Sequence, residues 1–265
     1  MSSSSKTSLW DYLAERFPPG QFAPLALMLL MASLVSGRAL HLGELVLQFG
    51  LTLSWIFQFR LLDDLHDRER DRKMQPHRVL VQTESLGYFR CLAGLATIGN
   101  LGATGLLLSW NISFTILVPL NLMLAALYWK GGIQRLVHTQ IVLIKYPMFV
   151  LMLSGGIPGF SVTTSLVTLL IYFTFAVFEL LHDPSLRFGK RGETALFVEA
   201  FFLGVMWFLL AGWTAYSHPI ATIILTGLAM CACLLLFHLF RPETTNHRPI
   251  FLPTILQLMV LTFLT

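Results

Sequence analysis

Apolar runs long enough to cross a hydrocarbon core recur along the whole of this 265-residue chain. A helix needs about 20 residues to cross ~30 Å of hydrocarbon. Stretches of this kind lie at 22–42, 43–61, 84–109, 112–129, 138–158, 162–182, 194–215, 219–240 and 249–265. Lipid offers no water to backbone N–H and C=O groups, so each run must close its own hydrogen bonds as a helix. The expected fold class is therefore all-α, a polytopic transmembrane helical bundle of about nine helices, in a single membrane domain covering 1–265. Arg38 interrupts the first pair of runs, and Pro249 and Pro253 the last run. A soluble helical protein would need amphipathic faces, which these runs lack. Only 12% of the residues are charged, against roughly 25% in a soluble domain.

Charge placement predicts the orientation. With nine crossings, the N-terminal side carries Lys6, Arg16, Arg60, the 68–78 cluster, Arg90, Lys130, Arg135, Arg187, Lys190, Arg191, Arg241 and Arg248, and the opposite side Arg38 alone. The positive-inside rule then puts the N-terminus in the cytoplasm. The net charge of +4 describes a rim facing anionic lipids and phosphates, not a nucleic-acid surface. Cys91, Cys231 and Cys233 fall within predicted spans and read as packing residues. The first residues lack the order of a signal peptide. Residues 1–21 are expected to be a cytoplasmic segment whose Trp10, Tyr12, Leu13 and Phe17 belong to an interfacial helix. With no organelle-targeting peptide apparent, a bacterial inner membrane is the default location.

One connection stands out from this apolar background. Residues 62–78, LDDLHDRERDRKMQPHR, hold four aspartates, one glutamate and five Arg/Lys. Read as a helix, Asp64, Asp67 and Asp71 fall at i, i+3 and i+7 and share a face. Like charges on one face repel unless a cation sits among them. Magnesium fits, because it takes one or two carboxylates and shares its other positions with phosphates. Arg68, Arg70, Arg72, Lys73 and Arg78 supply anion-binding charge. The plainer alternative is a solvated helix neutralised by the pairs Asp64–Arg68, Asp67–Arg70 and Glu69–Lys73.

A second loop, FELLHDPSLRFGKRGETAL, repeats the order of carboxylates followed by basic residues. Glu179 and Asp183 stand at i and i+4 at the end of a span, with His182 beside Asp183. This similarity suggests an internal duplication that sets the two loops on opposite walls of one cavity. Glu179 lies one turn inside the predicted boundary, where a carboxylate needs a partner, either Lys145 or a metal. Lys145 either snorkels to the interface or faces the cavity and grips phosphate. Apart from Lys145 and Glu179, no ionisable residue is expected near mid-membrane.

LDDLHDRERD followed by QPHRVL resembles the first aspartate-rich motif of the UbiA family of intramembrane prenyltransferases, Asn-Asp-x-x-Asp-x-x-x-Asp and a short basic stretch with Arg-Pro. Asp63 stands where the family has Asn, and Asp64, Asp67 and Asp71 match the three aspartates. Arg78 matches the arginine, although Pro76 precedes it here. The second motif is degenerate. Glu179 and Asp183 occupy a region that usually carries two or three aspartates, and GKRGETAL (189–196) is similar to the Gly-Lys-x-x-Thr-type segment after it.

The resemblance implies a Mg2+-dependent enzyme acting on a prenyl diphosphate, with membrane lipids as surroundings. Asp64, Asp67, Asp71, Glu179 and Asp183 would hold the metal, and Arg72, Arg78, Lys145 and Lys190 the diphosphate. An aromatic or other lipid-precursor acceptor would take the prenyl group. The numerous aromatic side chains would stabilise a prenyl cation through their ring faces. Two alternatives stay open. One is a terpene cyclase, which needs no acceptor, and the other is a non-catalytic scaffold or transporter.

Overall fold

The computed structural model describes residues 8–35, 40–130, 133–159, 161–187, 190–213, 218–240 and 246–264. Lys6, Arg38 and Arg241 of the orienting charges and Gly189 of the segment 189–196 lie outside them.

All regular structure among the described residues is helical. Among the described residues six helices are long and apolar enough to cross a membrane, or seven if the bent pair Leu9–Arg16 and Pro19–Leu34 forms one broken span. Large apolar side chains point outward from them, Leu106, Ile98, Phe201 and Ile223 among the most exposed. Water does not tolerate such continuous apolar faces, and lipid does. The chain is compatible with a multi-pass membrane protein.

The elements, in chain order, are α1 (Leu9–Arg16), α2 (Pro19–Leu34), α3 (Leu42–His66), α4 (Arg68–Met74), α5 (Val79–Gln82), α6 (Leu86–Thr104), α7 (Trp110–Ile112), α8 (Val118–Lys130), α9 (Arg135–Leu143), α10 (Lys145–Leu153), α11 (Val162–His182), α12 (Pro184–Arg187), α13 (Lys190–Trp213), α14 (Pro219–Leu239) and α15 (Phe251–Leu264). They gather into two compact units. The first falls within Met1–Leu27 and Leu40–Val118, the second within Met28–Ala39 and Pro119–Thr265.

In the first unit, Ser8 caps α1. Its hydroxyl accepts from the Asp11 N–H at 3.2 Å, while the Asp11 carboxylate accepts from the Ser8 N–H at 2.8 Å. Tyr12, Leu61, Leu80, Phe89 and Ala93 form a buried cluster that joins α1 to α3, α5 and α6. Deeper in the unit, α3 and α6 exchange polar contacts. Asn100 Nδ2 donates to Gln58 Oε1 at 2.8 Å, Ser54 Oγ donates to Asn100 Oδ1 at 2.7 Å, and Trp55 Nε1 donates to Thr104 Oγ1 at 3.1 Å.

The 44-residue helical run Leu86–Trp129 is not a single rod. A straight helix would separate residues 101 and 113 by about 18 Å, yet Ser113 Oγ donates to the Leu101 carbonyl at 2.9 Å. The chain turns at Ser109, whose backbone is extended (φ −178°, ψ 143°) and whose hydroxyl accepts from the Asn111 N–H. Two π-helical segments, Gly105–Ser109 and Ser113–Leu117, flank the turn. A Cβ at Gly105 would collide with the Trp110 ring, so only glycine fits there. The turn coincides with the predicted boundary between 84–109 and 112–129.

In the second unit α11 packs against α10, α13 and α15, and α13 against α14. Thr174 and Thr254 share a buried hydrogen bond at 3.0 Å, and Phe149, Trp207 and Leu170 are fully enclosed. The stretch 135–153 is broken at Ile144 between α9 and α10. Pro147 accounts for the break, since it cannot return a hydrogen bond to the carbonyl one turn earlier.

Candidate functional site

The acidic stretch begins inside the long apolar helix α3 and continues past its end. α3 ends at His66, and Asp67 (φ −76°, ψ −2°) joins it to α4. Asp64, Asp67 and Asp71 therefore do not lie on one continuous helix, as the spacing predicts, and their side chains have different surroundings.

Asp64 is buried and held on both oxygens. Oδ2 accepts from the Tyr12 hydroxyl at 3.0 Å and Arg16 Nε at 3.1 Å, and lies 3.3 Å from Arg60 Nε, while Oδ1 pairs with Arg16 Nη2. Arg68, its expected partner in the self-neutralising alternative, instead donates to the Leu80 carbonyl at 2.9 Å. Asp71 is also buried and pairs through Oδ2 with Arg78. Glu15 closes the arrangement by accepting from the Val79 N–H at 2.8 Å. The N-terminal helix, expected only to rest at the interface, thus grips the acidic stretch through Tyr12, Glu15 and Arg16.

Asp67 is the least committed of the three. It is half-buried, with Arg70 at 4.0 Å. Burial pushes its carboxyl above the ordinary carboxylate range; Arg70 and His66 oppose this, and the charges of Asp63 and Asp71 add to it. The carboxylates whose fields overlap here are Asp63, Asp67 and Asp71, whereas Asp64 is occupied by the arginines. Arg72 is half-exposed and pairs with Glu69 at 3.0 Å, so that pair replaces the expected Glu69–Lys73.

The second acidic pair belongs to the second unit. Asp183 ends α11, where Oδ2 pairs with Arg135 and Oδ1 accepts from the Ser185 N–H at 3.0 Å and hydroxyl at 2.6 Å. Glu179 is half-buried one turn earlier. Lys145 is buried, with Nζ 5.5 Å from the Tyr146 ring centroid. Lys190 opens α13 and is exposed.

Among the described residues, no three His, Cys, Asp or Glu side chains converge tightly enough to hold a metal by themselves. A magnesium ion needs only one or two carboxylates when a diphosphate supplies the rest. Asp67 fits that role, as does Asp71 through Oδ1, the oxygen Arg78 does not take; Asp64 as held here does not.

A third ionisable group corrects the expectation about mid-membrane residues. Glu199 lies nine residues into α13, about 13 Å along the helix. It faces inward with the buried Leu196, Leu203 and Met206, close to Gln140 of α9 and Tyr172 of α11. A lone glutamate in the predicted span 194–215 is a signal the sequence does carry. The arginine partners Arg16 and Arg135 carry no such local signal, because tertiary packing brings them to their carboxylates.

No family model, curated protein or solved structure matches the chain.

Proposed function

We propose that the chain is a Mg2+-dependent intramembrane prenyltransferase, ionising a prenyl diphosphate and passing the prenyl group to an aromatic or other lipid-precursor acceptor. On this reading the chain crosses the membrane nine times, counting the turn at Ser109, with its N-terminus in the cytoplasm of a bacterial cell. The observation that carries the reading is the pinned acidic stretch where α3 leaves the apolar region. Asp67 stands there among the fields of Asp63 and Asp71, with Arg70 4.0 Å away. The likeness of LDDLHDRERD to the UbiA-family motif supports it.

Bound magnesium would neutralise charge on the departing diphosphate, held by Asp67 and by Asp71 Oδ1. Arg72 is free to swing from Glu69 to a phosphate oxygen, since that pair is exposed and weak. Arg78 is committed to Asp71 and orients that carboxylate. Asp64, with Arg16, Arg60 and Tyr12, fixes the end of α3 so that Asp67 keeps its position. The resemblance also assigns metal and diphosphate binding to Glu179, Asp183, Lys145 and Lys190, all of which belong to the second unit. The apolar interior would protect an allylic cation from water.

A second reading, a terpene cyclase, is favoured by the aromatic series within the second unit. Tyr146 stacks on Phe175 at 3.8 Å, and Phe251 meets Phe175 at 5.2 Å and Phe178 at 4.9 Å. Such ring faces suit a travelling cation.

The test is incubation of the purified protein with prenyl diphosphates of several lengths, with and without aromatic acceptors, in Mg2+ or chelator, with products read by mass spectrometry. An acceptor-linked product that needs Mg2+ and falls at least about a hundredfold in Asp67→Asn is expected. A hydrocarbon formed without acceptor selects the cyclase. Absence of any product with every diphosphate overturns both.

A further inference from the structure

In the second unit α13 and α14 pack against each other, yet a cleft of about 880 Å³ stays open between them. Phe197, Phe201, Gly204 and Phe208 of α13 line it, together with Cys233 of α14 and Phe240 at the end of that helix. No charged side chain is in its lining. Phe197 and Phe240 stack at 5.8 Å at one end, and Phe197 and Phe201 are largely exposed, so the cleft opens outward. Gly204 helps to keep it open. A Cβ there would meet only Cys233 Sγ, at 3.8 Å, an ordinary contact. Close helix packing therefore does not demand glycine, a poor helix former, at this position.

Length and charge together say what fills the cleft. The eleven helical steps from Phe197 to Phe208 cover about 16 Å, close to one leaflet of a ~30 Å hydrocarbon core. Lys190 stands seven residues before Phe197 and Gly204 seven after it, two turns in each direction, so the three share one stripe of α13. Lys190 and Arg191 are both exposed where α13 begins, and Glu193 is the one carboxylate of that first turn. A chain lying in the cleft thus ends below a net positive charge, which suits an anionic headgroup. A second copy of this protein suits it poorly. Inserted in the same orientation, it would bring its own Lys190 and Arg191 to the same level, where like charges repel.

We propose that the cleft between α13 and α14 binds one acyl chain of an anionic phospholipid, whose phosphate is met by Lys190 and Arg191. The site rests on the chain being a membrane protein and is independent of prenyl transfer.

The full chain in detergent micelles is titrated with dioleoyl phosphatidylglycerol or dioleoyl phosphatidylcholine, and bound lipid is counted by native mass spectrometry. The anionic lipid should bind roughly tenfold more tightly than the zwitterionic one. Lys190→Gln combined with Arg191→Gln should bring that ratio close to one. Gly204→Leu, which fills the cleft and keeps both cations, should weaken both lipids roughly tenfold. The exposed glutamine pair carries the test if the leucine variant fails to fold. Equal affinity for the two lipids in the wild type overturns the proposal, as does a ratio unchanged in the glutamine pair or binding unchanged in folded Gly204→Leu. Displacement of phosphatidylglycerol by an equal concentration of farnesyl diphosphate would give the cleft to the substrate instead. A dimer that Gly204→Leu splits would give it to a second copy, and either result overturns the proposal.

Discussion

Asp64 in the first unit and Glu199 in the second are both carboxyl groups withdrawn from water, yet the chain treats them in opposite ways. Asp64 receives two arginines and a tyrosine, and both of its oxygens are engaged. Glu199 has the Gln140 amide as its hydrogen-bond partner and Tyr172 nearby, with no arginine or lysine acting on it among the described residues. A buried carboxylate saturated with cations is a fastening, since any ligand would have to displace strong charge-assisted bonds. A buried carboxyl met only by a neutral amide and a phenol bears its burial cost without such a clamp. Acidity alone separates neither from a metal ligand; the neighbouring side chains do.

The largest expected effect comes from breaking the saturated side of this comparison. Arg16→Ala strands the Asp64 charge beside Arg60 alone and should cost about 3 kcal/mol of stability, read as unfolding of the purified protein in micelles. Adding Asp64→Asn to the same chain should recover most of the loss, because the stranded charge goes with it. A single-variant cost below about 1 kcal/mol would mean that Asp64 is free to bind metal after all. Glu199→Leu should act in the opposite direction, leaving stability unchanged or raising it by about 1–2 kcal/mol, since it removes a burial cost and no strong partner. If Glu199→Leu proves as damaging as Arg16→Ala, the two carboxyls do the same job.

How much of this was legible in the sequence follows from the range of the forces involved. The apolar runs announce helices because lipid permits little else, and the boundary near Trp110 shows in the short polar interruption Ser109–Asn111. The acidic stretch is visible from composition. Its shared face requires one helical phase, and the helix end at Asp67 interrupts that phase. The partners Arg16, Tyr12 and Glu15 lie some 48 to 64 residues away from the groups they hold, so no local spacing reveals them. Glu199 was readable as a lone carboxylate in an apolar run, but its company, Gln140 and Tyr172, is set by how three helices pack.

Smaller effects refine the contrast between strongly and weakly held polar groups. Asn100 gives and takes hydrogen bonds with Ser54 and Gln58. Asn100→Ala should cost about 1 kcal/mol, near the modest value of interhelical hydrogen bonds inside membranes. A cycle with Ser54→Ala would show how much of this belongs to that pair. A cost near zero would place Asn100 with Glu199, among groups whose polarity is not needed for folding.

Asp67 lies between the two extremes, and pH resolves its position. Its carboxyl is raised, chiefly by burial, so the folded chain holds that proton more tightly than the unfolded chain does. Stability from this group is therefore present at low pH and lost as pH rises through the raised value. In chelator near neutral pH, Asp67→Asn should be the more stable protein, by well under ~1 kcal/mol because the group is half-exposed. The difference should close as pH falls into the ordinary carboxylate range. Adding Mg2+ at neutral pH should reverse the order, stabilising the wild type and leaving Asp67→Asn unmoved. If Mg2+ shifts both proteins equally, Asp67 does not hold the ion, and the acidic stretch is a fastening throughout.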